Sequence, residues 1–318
     1  MIALMDNPMA LLNETATGVY VIAVTPFTET GALDLDSADR MVDFYLEKGA
    51  TGLTLLGMMG EAPKLTAEES RILVRRVLAR TDHRVPIVVG ASGPGLAAMG
   101  ELTKAVMDDG AAGVMVAPPS NLRTDDQIVA YYDMVGEAIG ANTPLVLQDF
   151  PLSTGVQFTP AVILKIVARL PNMVMLKHED WPGLAKLAAI RAASDGGTAR
   201  RISILVGNGG VFLPEELSRG ADGAMTGFAY PEMMVDVWRA HAAGEIERAH
   251  DLFDAYLPLA RYEQQPGPGL AIRKYILAKR GVLASATLRK PGAGLLAADI
   301  ADVERLITRQ TRRLKELG

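Results

Sequence analysis

Eight short apolar runs punctuate the first 231 residues: "GVYVIAVTPF" (18–27), "GLTLLG" (52–57), "VPIVVGAS" (85–92), "GVMVAPP" (113–119), "PLVLQDFP" (144–151), "MVMLK" (173–177), "ISILVGN" (202–208) and "GAMTGFAYP" (223–231). Each is continuous in polarity rather than alternating, the pattern of strands in a parallel sheet whose two faces are both covered. Helical patterns lie between them. "LTAEESRILVRRVLAR" opens with Thr66-x-x-Glu69, a capping box, and then carries an apolar stripe, while "TPAVILKIVARL" starts at Thr159 with Pro160 in the first helical position. A weak repeat marks three of the junctions: "KGATGLTLLG", "DGAAGVMVAP" and "RGADGAMTGF" share Gly-Ala-x-Gly. The first glycine (Gly49, Gly110, Gly220) suits a left-handed helix terminus, and the second (Gly52, Gly113, Gly223) opens a strand.

Eight strand–helix units in about 220 residues predict a (β/α)8 TIM barrel over residues 17–231. The competing architecture is a doubly wound open sheet, but no GxGxxG follows the first strand and no Walker A sequence occurs. From 232 the strand signal stops. Three amphipathic stretches, separated by the turns "EQQPGPG" and "LRKPGAG", predict a C-terminal helical region over 232–318. Residues 1–16 form an N-terminal extension, expected to be loosely ordered over its first ~15 residues unless it packs at a subunit interface.

Composition narrows the function. The chain of 318 residues is 49% hydrophobic and 22% charged, with a net charge of -5 and no long Lys/Arg run, so no nucleic-acid partner is expected. It has no cysteine, which excludes disulfides, Fe–S clusters and thiolate metal sites. Its four histidines (His83, His178, His241, His250) show no HExxH spacing, and no metal or redox cofactor is expected. The N-terminus lacks a basic stretch and is interrupted by Asp6, and no apolar run is long enough for a membrane span. A cytoplasmic enzyme without a membrane partner is the expectation.

The candidate chemistry sits at strand ends. In a barrel of this kind, catalytic groups gather at the carboxyl ends of the strands. In "NMVMLKHEDW" the apolar run leads into Lys177, and Glu179 follows two residues later, on the same side of an extended chain. One reading is a solvated strand-end lysine beside a salt-bridging glutamate. The other is a Schiff-base lysine. Apolar surroundings disfavour an ammonium, so a buried amine can attack a carbonyl, and the neighbouring glutamate can move a proton on the adjacent carbon. After the second strand, Gly57-Met58-Met59-Gly60-Glu61 is either a plain turn or one that presents backbone N–H groups to an anionic oxygen. Gln148 and Asp149 end the fifth strand, and Asn208 opens "NGG" after the seventh. These polar groups either cap loops or touch substrate.

Taken in order, these segments resemble the dihydrodipicolinate synthase/N-acetylneuraminate lyase family over residues 17–292. "GVYVIAVTPFTETGALD" is similar to its opening strand, and "GMMGEAPKLTAEE" to its Gly-Thr-Thr-Gly-Glu loop. "VMVAPPSN" falls where the family often has a Pro-Tyr-Tyr turn, and "VLQDFPLSTG" where it usually has Tyr-Asn-x-Pro. "VMLKHE" matches its Schiff-base strand. The resemblance implies a (β/α)8 barrel with C-terminal helices, usually a homotetramer, and imine chemistry on a 2-oxo acid. It implies Lys177 as the imine lysine, and a Gly57–Gly60 loop that holds the substrate carboxylate through backbone N–H groups.

Departures from the family pattern steer the reading. The synthases' proton relay uses a tyrosine on the fifth strand, a threonine in the second loop and a tyrosine after the fourth strand. Here those places hold Gln148, Met58 and Ser120 (or Pro119), and Ser153 stands near where the synthases' carboxylate-binding arginine falls. Glutamine and methionine cannot relay protons as tyrosine does. A glutamate two residues after the lysine resembles the L-2-keto-3-deoxyarabonate dehydratase branch, as do "RYEQQPGPGLAIRKYILAKRG" and "TGFAYPE". The resemblance therefore implies dehydration of a 2-keto-3-deoxy sugar acid, with Lys177 and Glu179 catalytic. Gly57, Met58, Met59, Gln148 and Asn208 are the expected substrate contacts. A pyruvate-dependent aldolase or synthase, and a non-catalytic 2-oxo-acid sensor, are the alternatives.

Overall fold

The computed structural model describes residues 11–93, 95–181 and 183–318. Eight parallel strands close into a barrel: β1 (Gly18–Ile22), β2 (Gly52–Leu55), β3 (Ile87–Gly90), β4 (Gly113–Val116), β5 (Leu145–Asp149), β6 (Met173–His178), β7 (Ser203–Val206) and β8 (Gly223–Thr226). Each strand pairs with its sequence neighbours, and β8 returns to β1 with Gly18 opposite Gly223. There is no open sheet edge among the described residues, which rules out the doubly wound alternative. Except for β6, which extends one residue past its run to His178, the strands are shorter than the apolar runs, whose ends bend into loops.

Helices cover the outside: α1 (Leu35–Glu47), α2 (Ala67–Thr81), α3 (Leu96–Asp108), α4 (Asp125–Ile139), the single turn α5 (Pro151–Thr154), α6 (Pro160–Arg169), α7 (Leu184–Asp195), α8 (Leu213–Ser218) and α9 (Pro231–Ala242). The sequence signals act where they were read. Thr66 and Glu69 exchange backbone-capping hydrogen bonds at the start of α2, and the Thr159 hydroxyl accepts from Val162 N–H at α6. Gly49, Gly110 and Gly220 have φ of 84°, 105° and 92°, values that a side chain would resist.

Two apolar layers follow from the two faces of each strand. One lies between strands and helices. The other fills the barrel and includes Tyr20, Ile22, Val88, Met115, Val146, Met175, Leu205 and Met225. Of the N-terminal extension, residues 1–10 lie outside the described residues. Leu12 is buried in the barrel-filling layer, and its N–H donates to Ala112 O at 2.9 Å. At the other end, α9 packs on β1 and α8, and α10 (Ile246–Glu263), α11 (Gly269–Lys279) and α12 (Ala297–Leu317) follow. No helix among the described residues is long and apolar enough to cross a membrane.

Candidate active site

Strand alternation sets the site. Val146 and Met175 fill the barrel, so Gln148 and Lys177, two residues further on, face the same interior at its carboxyl end, side by side in the β5–β6 register. Lys177 is 4% exposed, which removes the solvated reading of this residue. Glu179 lies just past β6. Its N–H still donates to Asp149 O at 2.8 Å, which keeps the strand direction and turns its side chain to the lysine. Lys177 Nζ is 2.9 Å from Glu179 Oε2, and the same oxygen accepts from Gln148 Nε2 at 2.7 Å. Asn208 Nδ2 donates to the Glu179 carbonyl at 3.0 Å. Gly207 completes the cradle, since a Cβ there would overlap the Glu179 side chain.

The pocket above this pair is lined by Ile22, Met58, Met59, Gln148, Phe150, Lys177, Glu179, Asn208, Thr226, Gly227, Gln264 and Arg273. The sequence-read residues Lys177, Glu179, Gln148, Asn208, Met58 and Met59 therefore meet in one place. Gly57 does not line it. It starts the 3-10 turn Met58–Gly60 and backs against Ile22. The first N–H groups of such a turn lack partners within it, so the Met58–Met59 backbone can offer donors. Gln148 and Asn208 are expected substrate contacts, and both line the pocket. The structure also gives both amides a hold on Glu179, while Asn208 Oδ1 has no partner among the described residues. Met58 Sδ meets the Ser153 hydroxyl at 3.1 Å, so the β2 and β5 loops touch beside the pocket.

The scaffold behind the pair is ionic. Asp149 and His178 point outward, opposite to Gln148 and Lys177. Asp149 Oδ2 lies 2.8 Å from Lys186 Nζ, which also reaches Asp180 Oδ2 at 2.8 Å, and His178 Nε2 sits 3.0 Å from Gly183 O. These contacts pin α7 to the β5–β6 ends. The β2 loop is held similarly. Glu61, at φ 54°, takes Lys274 Nζ at 2.5 Å, Lys64 Nζ at 2.9 Å and Arg289 N–H at 3.0 Å. Burial pushes the Lys274 ammonium below its ordinary value, against the pull of Glu61.

Sequence reading missed the wall formed by Ile22, Phe150, Thr226, Gly227, Gln264 and Arg273. Gln264 and Arg273 come from the C-terminal helices, read only as an appendage. Arg273 Nε donates to Glu263 Oε1 at 2.6 Å, and Nη2 donates to Gly227 O. Burial pushes the Glu263 carboxyl up, while Arg273 and the Ala229 N–H lower it. The available signal was the pair Arg273-Lys274 inside the otherwise uncharged "GLAIRKYILA".

A closed (β/α)8 barrel with a buried lysine and carboxylate at the carboxyl ends of its strands defines a TIM-barrel protein with an enzyme-like mouth. The comparisons then give the family. Residues 15–310 match the dihydrodipicolinate synthetase family, and the chain belongs to it, among lyases. It is 30% identical over 287 residues to an L-2-keto-3-deoxyarabonate dehydratase from Azospirillum brasilense, covering 86% of this chain and 88% of that one. It is 30% identical over 249 residues to a 4-hydroxy-tetrahydrodipicolinate synthase from Thiobacillus denitrificans, covering 77% and 81%. Among solved structures, a dihydrodipicolinate synthase from Rhodopseudomonas palustris superposes with a TM-score of 0.93 at 51% identity, over 94% of this chain and 99% of that one. YagE from E. coli K12, solved in complex with pyruvate, superposes with a TM-score of 0.84 at 25% identity, over 93% and 98%.

Proposed function

We propose that this lyase dehydrates a 2-keto-3-deoxy sugar acid through an imine on Lys177, most simply converting L-2-keto-3-deoxyarabonate to 2-oxoglutarate semialdehyde. The observation that carries this reading is the buried contact of 2.9 Å between Lys177 Nζ and Glu179 Oε2, with Gln148 where the synthases' tyrosine is expected. Lys177 attacks the C2 ketone and, with loss of water, forms the iminium. Glu179 removes a C3 proton to give the enamine, which expels the C4 hydroxyl as Glu179 or a relayed water returns the proton. Hydrolysis frees the lysine. Loss of a C5 proton and protonation at C3 then turn the C3=C4 alkene and the C5 carbinol into a C4=C5 enol. Loss of the enol's hydroxyl proton, with protonation at C4, leaves a saturated chain ending in an aldehyde. No carbon–carbon bond breaks, so the route does not call on an aldolase tyrosine.

The Met58–Met59 backbone would hold the substrate carboxylate, and Gln148 would hold Glu179 in place. The similarity to the Azospirillum dehydratase supports this reading. The name of the 51% identical relative favours a second one, a pyruvate-dependent synthase or aldolase. A panel of 2-keto-3-deoxy acids, assayed in parallel for semialdehyde and pyruvate, separates them. Wild type is expected to form semialdehyde, and Glu179→Gln to lose turnover by orders of magnitude while still forming the imine. Pyruvate as the product, or a nearly silent Glu179→Gln, would transfer the assignment to the aldolase reading.

A further inference from the structure

Arg273 is 2% exposed, lies on α11 and lines the same pocket as Lys177. Two of its three guanidinium nitrogens are engaged, Nε with Glu263 and Nη2 with the Gly227 carbonyl. Nη1 is buried and has no acceptor among the described residues. Leaving such a donor unpaired is costly, because the group has lost water without gaining a partner. Gly227 also lines the pocket, and a Cβ on it would overlap Nη1. The wall is thus cut back to glycine where this nitrogen lies.

Charge decides what that nitrogen suits. Glu263 is also 2% exposed. One of its oxygens is 2.6 Å from Arg273 Nε and the other accepts Ala229 N–H at 3.0 Å. The pair is internally balanced, so Arg273 offers the pocket a hydrogen-bond donor with little uncompensated charge. A carboxylate brought to it would sit near Glu263 and lose more hydration than the arginine returns. A hydroxyl carries no such penalty. The pocket's β2 side is taken by the substrate carboxylate and its β6 side by the imine, which leaves the β8 side, with Thr226, Gly227, Gln264 and Arg273, for the substrate's far end.

We propose that Arg273 is a specificity residue that donates from Nη1 to a hydroxyl at the far end of the substrate. It selects hydroxylated monoacids over diacids of the same length. This rests on the reading of the pocket as a 2-oxo-acid imine site. Gln264 is its neighbour in that wall, and its side-chain oxygen lies where a Cβ on Gly209 would come close.

Three five-carbon probes test this without turnover, because none carries a C4 hydroxyl to expel: 2-oxopentanoate, 5-hydroxy-2-oxopentanoate and 2-oxoglutarate. Each is trapped on the protein with borohydride, and its half-saturating concentration is read by mass spectrometry. Wild type is expected to half-saturate with the hydroxy acid at a concentration ~10–100-fold lower than with 2-oxopentanoate, and to take 2-oxoglutarate less well than the hydroxy acid. Arg273→Lys, which keeps a cation beside Glu263, is expected to erase the hydroxy acid's advantage by weakening that probe far more than 2-oxopentanoate. Equal affinity of wild type for the first two probes, or a preference for 2-oxoglutarate, overturns the proposal even if the variant does not fold. A variant that weakens all three probes alike also overturns it, because Arg273 would then be only structural. Absence of any adduct on wild type instead removes the imine reading on which the proposal stands.

Discussion

Lys177 and Glu179 meet because of an alternation of two along one strand, and Glu179 is then fixed from three sides. Gln148 bonds its carboxylate, Asn208 bonds its carbonyl, and Gly207 leaves it room. The last of these gives a sharp test. Gly207→Ala places a methyl group where the Glu179 side chain lies. The expected result is a folded protein in which kcat falls ~10–100-fold through displacement of the carboxylate proposed as the base, while borohydride trapping of pyruvate on Lys177 persists. Unchanged kcat would show that Glu179 needs no such cradle. The lysine and glutamate were legible because a charge at the end of an apolar strand is conspicuous. Arg273 was not, because its partner Glu263 lies on another helix and a charged residue in a helix is read as solvated unless its counter-ion is known.

Among elements, the strands were legible from their continuous apolar runs, and the helices from their caps and stripes. What α11 does was hidden. Its Arg273 and Lys274 both point inward, to Glu263 and to Glu61, which is 213 residues away. No local pattern announces a partner at that distance. The short helix α8 carries a different exception, Glu216, which is buried with Oε2 unpartnered. Burial first, and then the charges of Glu215 and Glu179, push its carboxyl up from 4.5 to about 8. The folded chain keeps this proton up to that pH, whereas the unfolded chain releases it near 4.5. The associated stability is thus fully present below pH 4.5 and is lost as the pH rises through 8. Glu216→Gln is expected to flatten the dependence of the denaturation midpoint between pH 5 and pH 8.5. It should also raise stability at the upper end by ~1–3 kcal/mol. A slope identical to wild type would place the titration elsewhere.

For the whole molecule, the barrel closes β8 onto β1, so eight strand ends converge on one mouth and residues from positions 22 to 273 share one pocket. That convergence made the architecture legible from period and count, since parallel strands covered by helices leave few topologies at this length. The same convergence made the pocket's far wall illegible, because closure and the return of α11 decide which distant residues face Lys177. The central claim is that Lys177 is the one amine that reacts with 2-oxo acids. Mass spectrometry after borohydride reduction with pyruvate measures this directly. The expected result is one adduct per chain, mapped to Lys177 and absent in a folded Lys177→Ala variant. An adduct on another lysine, such as Lys64, or no adduct at saturating pyruvate, would contradict it.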